Sequence, residues 1–363
     1  MKEDAIVIFE DDRRFAKELH SEIRSFIRPK EAEILIFPTT SGMGTKMDSM
    51  FETRIESDLA MQSRISPVLF VCDRDLSGTE DYTGLSEAAV SSVAEKLGVP
   101  VCLYARGMTG SVIERAQEWR SRQMILNWKL GKHSLAQHIS QIYRGFRQLN
   151  NSCKVFLSKS SSKTTPANAL AHALSRPEIV DKLALYGAGD LSNLAAVFHV
   201  KAEKASDRAK RLSKLLGLWL WDSVLRFPGV LVNEVAAASY IGIDLSTFRT
   251  VAVKKIFARA KYRGPFDAPN DFWWRDRIDE MIFGKGHSSG FEMLHLLLPN
   301  VRVKQARCHV DGKPPAGFYC MFHEKPVSDR NSMGNLTWFP SGADLSRLTK
   351  SVYEELAPWV GLY

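Results

Sequence analysis

The first hundred residues alternate between two hydrophobic periods. Residues 6–9 (IVIF), 33–37 (EILIF), 68–72 (VLFVC) and 100–104 (PVCLY) are short apolar runs rich in β-branched and aromatic side chains. Runs of that length and composition predict buried strands. Between them the period lengthens. Phe15, Leu19, Ile23 and Ile27 share one face of residues 13–27, and residues 84–97 are also helical in pattern. Strands alternating with helices predict βαβ units and an α/β, doubly wound parallel sheet. Residues 123–128 (QMILNW) are the candidate fifth strand. Residues 158–166 (SKSSSKTTP) read as an exposed loop or linker. Beyond them the pattern is mainly helical. Thr165-Pro166 can start a helix through Leu174, and Ser192 can cap a long one reaching Leu225. From Val301 the chain breaks into short strand-like pieces with Gly and Pro, a small α+β C-terminal part. The expected organisation is an α/β domain over 1–150, a helical middle or linker over 151–228 and an effector region over 229–363.

Charge divides the chain differently. Residues 1–109 carry 13 Lys+Arg against 19 Asp+Glu, and the remainder carries 36 against 22. An acidic head on a basic body suggests two tasks, and the basic part points to a polyanion or to a solvated surface. No apolar run is long enough for a membrane span, and the N-terminus lacks the layout of a secretion signal. Five scattered cysteines fit free thiols better than a disulfide framework. The expectation is a cytoplasmic protein without a membrane partner.

Two of the predicted strands end on acids: Glu10, Asp11 and Asp12 after the first, Asp73 and Asp75 after the third. In open α/β sheets sites form beyond the carboxyl ends of strands. Carboxylates gathered there repel one another unless a hard cation sits among them, and Mg²⁺ suits such a site. The bland alternative is that these acids cap helices.

"IVIFEDD" and "VCDRDLSG" resemble the first and third strands of the receiver domain of two-component response regulators, over residues 4–149. The resemblance implies a receiver/flavodoxin-like fold with strand order 2-1-3-4-5. It implies Asp73 as phosphoacceptor, Mg²⁺ held by Glu10, Asp11 and Asp73 with the backbone carbonyl of Asp75, and a histidine kinase or another phosphodonor as partner. Leu76-Ser77-Gly78 stands where the family has Leu-Pro-Gly. The switch positions depart from the pattern. Tyr104 replaces a Thr or Ser, and Asn127 replaces a Lys, with Lys129 two positions late. A second family shares the residues: Toprim domains use a Glu after one strand and Asp-x-Asp-x-x-Gly after another, which Glu10, Asp73 and Asp75 satisfy. That resemblance implies a metal-dependent nuclease on a sheet with four parallel strands. The receiver resemblance covers more residues. A third reading is a non-catalytic adaptor, whose receiver-like domain binds a protein or a second copy of the chain as a homodimer.

In the basic part, Ala238, Gly242, Phe248 and Val251 have the spacing of a helix-turn-helix: a small contact residue, a turn glycine and an apolar pair docking the second helix. The stretch resembles excisionase and MerR-type winged helix-turn-helix proteins, which implies double-stranded DNA as a partner. Arg249, Lys254, Lys255, Arg259 and Lys261 are the candidate phosphate-facing side chains. An ordinary helical hairpin fits the spacing as well. Cys308, His309, Cys320 and His323 are donors that zinc accepts, but adjacency and short spacing favour a bland strand cysteine beside surface histidines. The aromatics Trp273, Trp274, Phe318, Tyr319, Trp338 and Phe339 read as core.

Overall fold

The five apolar runs form one sheet. A computed structural model describes residues 3–38, 51–76, 86–105, 124–127, 131–159, 165–187 and 204–360. Strands β1 (Glu3–Phe9), β2 (Glu33–Ile36), β3 (Ile65–Asp73), β4 (Val101–Ala105) and β5 (Met124–Asn127) lie in the order β2-β1-β3-β4-β5, every neighbour parallel. β3 starts earlier than its apolar run. Pro67 pairs with Ala5, and the ladder slips by one residue just after it, as a missing amide at that position favours.

Both faces of the sheet are apolar, which a parallel sheet between helices requires. Ala5, Val7 and Phe9 join Ile55 and Leu59 of α2 (Phe51–Met61) and Val90, Val93 and Ala94 of α3 (Glu87–Leu97) in one buried cluster. The alternate residues Ile6 and Ile8 are equally buried. Helices α1 (Arg13–Phe26) and α4 (Gly131–Lys159) pack on each other and reach β1 and β3. Asp12 caps α1, its carboxylate accepting from the Arg14 and Phe15 amides, both at 3.0 Å. That accounts for one acid of the first cluster as a helix cap.

The chain forms two compact units drawn from non-contiguous stretches: 1–109, 122–164 and 194–218 in the first, 110–121, 165–193 and 219–363 in the second. The helix Ala205–Trp219 therefore serves the first unit almost throughout. Its stripe of Ala209, Leu212 and Leu216 is buried. Gly217 lies so close to Phe146 of α4 that a Cβ there would come within 2.2 Å of the ring. Two of its cations face inward: Lys214 pairs with Glu95 at 2.6 Å, and Lys210 donates to Ser66 at 3.3 Å.

In the second unit the helix Pro166–Ala173 starts at a capping box between Thr165 and Asn168. β6 (Leu231–Asn233) and β7 (Phe272–Trp274) form an antiparallel pair. β8 (Phe318–Cys320), β9 (Lys325–Val327), β10 (Ser332–Met333) and β11 (Ser346–Thr349) form a sheet in the order β10-β11-β8-β9. Of the six aromatics expected in the core, Trp273, Trp274, Tyr319 and Phe339 are buried, while Phe318 and Trp338 are only half-buried. Tyr186 closes the unit. Its hydroxyl donates to the Phe227 carbonyl at 3.1 Å and accepts from the Val230 amide at 3.0 Å.

No helix among the described residues is long and apolar enough to cross a membrane. Ser77, Gly78, Gly84, Lys129 and Ser192, together with positions 160–164 of the expected loop, lie outside the described residues.

Candidate functional site

The register of the sheet assembles the acids. Phe9 stands opposite Cys72 and Asp73 opposite Tyr104, so the acids that follow β1 and end β3 meet at the carboxyl ends of these two neighbouring strands. Glu10, Asp11 and Asp73 each bring a carboxylate oxygen within 4.8 Å of the other two. Glu10 is fully buried, and Asp73 and Asp11 nearly so. Glu10 Oε1 accepts from the Asp12 amide at 2.9 Å, and Oε2 accepts from the Tyr104 hydroxyl at 2.5 Å. Asp73 Oδ1 accepts from the Asp75 amide at 3.2 Å.

Burial pushes the Glu10 carboxyl up to about 7, and the charge of Asp73 adds to the rise, while the bonds from Tyr104 and Asp12 oppose it. The same burial, with Glu10 alongside, holds the Tyr104 phenol well above its ordinary range. A cluster of oxygen-only donors under mutual repulsion is the donor set that a hard divalent cation takes. The residues present fit Mg²⁺ on that chemistry.

Asp75 stands apart from the three. It is exposed and enters the site through its amide, and its carboxylate does not belong to the close group. Asn127 ends β5 opposite Ala105; its side chain lies outside the described residues. Tyr104 is the partner that periodicity could not reveal. Its position on a predicted strand marked it as buried, but its bond to Glu10 depends on which strands are neighbours.

The basic candidates fall around a broken helical segment. Asn233 caps the helix Glu234–Ile241, Gly242 leaves it at φ 88°, and Asp244 caps the four-residue helix Leu245–Phe248. Thr250 then starts a new helix, Val251–Ile256. Ala238 and Phe248 are buried as the helix-turn-helix spacing predicts. Val251 is not: it is 84% exposed. The restart at Thr250 rotates it outward, and Val253 and Phe257 supply the buried contacts instead. Arg249 and Lys254 both bind Glu234, at 2.7 and 3.0 Å, and Lys261 binds Asp271 at 2.7 Å. Lys255 and Arg259 are exposed.

The Cys/His candidates separate by chain direction. Cys308 turns toward Asn331, whose amide donates to its sulfur at 3.4 Å. His309, Cys320 and His323 converge, with ligand atoms within 4.8 Å of one another. Spacing does not reveal that convergence, because a single backbone bond, from the His309 amide to the Pro326 carbonyl of β9, brings His309 beside the other two. The Cys-x2-His step at the end of β8 was the available signal.

Comparisons of the chain with protein families, with curated proteins and with solved structures find no match.

Proposed function

We propose that the first unit is an atypical receiver domain, doubly wound, in which Asp73 accepts a phosphoryl group. The observation that carries the reading is the convergence of Glu10, Asp11 and Asp73 at the ends of β1 and β3 in a sheet ordered β2-β1-β3-β4-β5. The same cluster favours a receiver over a Toprim nuclease, because Asp11 rather than the Asp75 carboxylate completes it.

Asp73, held through Oδ1 by the Asp75 amide, presents its carboxylate at the strand end as the nucleophile. In transfer from a small acyl phosphate, a bond forms between a carboxylate oxygen of Asp73 and phosphorus. The bond from phosphorus to the donor oxygen breaks, and the donor leaves as a carboxylate. Glu10, Asp11 and Asp73, with the Asp75 carbonyl, would hold Mg²⁺, which would supply charge neutralisation to the phosphoryl oxygens. The Tyr104 hydroxyl is committed to Glu10 and its ring is buried, so it responds weakly to a new group on Asp73. That bond also favours a second reading, an adaptor whose receiver-like unit holds one conformation. The second unit, which carries the helix-turn-helix-like stretch, is proposed as the output, with double-stranded DNA as its partner.

The test uses the full chain with acetyl phosphate and Mg²⁺. Intact-mass analysis should show one added phosphoryl group, absent in Asp73→Ala, and calorimetry should show weaker Mg²⁺ binding in Asp11→Asn. No adduct with any donor replaces the phosphoacceptor by the adaptor. Mg²⁺-dependent nicking of plasmid, lost in Asp73→Ala, replaces it by the nuclease.

A further inference from the structure

Cys320 ends β8, His323 sits in the tight turn that follows, and β9 begins at Lys325. The turn is closed by the Glu324 amide donating to the Cys320 carbonyl at 2.8 Å, with Glu324 in the left-handed region at φ 55°. This folds the Cys-x2-His step back on itself and brings Cys320 Sγ to 3.3 Å from His323 Nδ1. His309 is held beside the hairpin, its amide donating to the Pro326 carbonyl at 3.0 Å. Its ring lies 4.7 Å from that of His323, centroid to centroid.

Two independent observations point to a ligand here. The three donor atoms lie within 4.8 Å of one another. In addition, His309 Nε2 is buried and meets no hydrogen-bond partner among the described residues. A buried imidazole nitrogen left without a partner has an uncompensated desolvation cost, and a metal ion removes it. The spacing is that of a tetrahedral centre: bonds of about 2.3 Å to sulfur and 2.0–2.1 Å to nitrogen place the two donor atoms roughly 3.6 Å apart. Cys320 and His323 stand slightly inside that separation.

We propose that His309, Cys320 and His323 form a Zn²⁺ site that ties the segment carrying His309 to the β8–β9 hairpin. Imidazole and thiolate donors select zinc over the hard ions that oxygen sites take. Cys320 lies in a small apolar cluster with Ala306, Ala316 and Val327, which shields the sulfur, while exposed His323 leaves a path for the ion. Three protein donors leave the fourth position to water. Binding releases the thiol proton from Cys320 to solvent and changes no oxidation state.

The full chain, stripped with chelator and dialysed against Zn²⁺, should retain one ion by elemental analysis. Loaded with Co²⁺, it should show thiolate-to-cobalt charge-transfer absorption. Cys320→Ser should abolish that band, and Cys308→Ser should leave it. His323→Gln, at an exposed position that packing tolerates, should lower Zn²⁺ affinity by more than the roughly 10–100-fold lost with a mere supporting partner. A chain that retains no Zn²⁺, a charge-transfer band surviving Cys320→Ser, or an affinity unchanged in His323→Gln overturns the site.

Discussion

Glu10 concentrates the physics of the acidic cluster. Its carboxyl is raised by burial from the ordinary 4.5 to about 7. The folded chain therefore holds a proton that the unfolded chain releases between those values. The corresponding stability is fully present below about 4.5 and is lost as pH rises through about 7. Without metal, the wild-type chain should gain stability as pH falls from neutrality toward 5. Glu10→Gln, which cannot ionise, should flatten that part of the profile. Thermal unfolding of both chains across that range checks it, and parallel profiles would remove Glu10 as the cause. Tyr104 acts through the same residue, because its hydroxyl, with the Asp12 amide, donates to the buried carboxylate.

Among the helices, Ala205–Trp219 has the clearest division between what it presents and what it buries. Its string of Lys and Arg suggests a solvated face, yet Ala209, Leu212 and Leu216 are fully buried. Gly217 makes the close approach to α4 available. An alanine there would gain about 1 kcal/mol of helix propensity. It would also drive a methyl group into the Phe146 ring, which is only 5% exposed and has little room to yield. Overpacking of that kind costs about 1–3 kcal/mol. Gly217→Ala should thus destabilise the first unit by up to about 2 kcal/mol net. Chemical denaturation followed by circular dichroism measures it, and a stabilised variant would mean that the two helices separate at no cost. The helix Val251–Ile256 teaches a related point: one cap at Thr250 shifts the phase and turns Val251 outward.

For the molecule as a whole, the two side-chain clusters differ in chemistry. Oxygen donors gather in the first unit and nitrogen and sulfur donors in the second, so on the two proposals each would take a different class of ion. Charge does not follow that division: the first unit carries 27 Lys+Arg against 21 Asp+Glu and the second 22 against 20. The excess of cations lies beyond residue 109, but Arg249, Lys254 and Lys261 are neutralised by Glu234 and Asp271. On the proposal that the second unit binds DNA, Lys255 and Arg259 carry the phosphate contacts. Replacing both by Ala should flatten the dependence of log K on log salt by about two units. Glu234→Gln, which releases Arg249 and Lys254, should tighten binding at low salt. Fluorescence anisotropy with duplex DNA reads both, and a wild-type chain that binds no duplex at low salt ends the DNA proposal. Such work needs the intact chain. A cut near residue 150 severs α4 and separates the helix Ala205–Trp219 from the unit it covers.

Strands β1 to β5 and helix α1 were legible from order alone, because period two and period 3.6 are properties of a local stretch of backbone meeting a water-excluding core. The acidic cluster was legible for a similar reason: parallel strands end on one side of a sheet, so acids at two strand ends are brought near each other by the fold class. Pairings between distant residues were not legible. Tyr104 reaches Glu10 through the β3–β4 and β1–β3 registers, and His309 reaches Cys320 and His323 across β9. Glu234 disarms two cations fifteen and twenty residues later through helix packing. Local pattern sets which face of an element is buried. Which side chains then meet depends on register and on the angle at which elements pack, and these are settled by the folded chain as a whole.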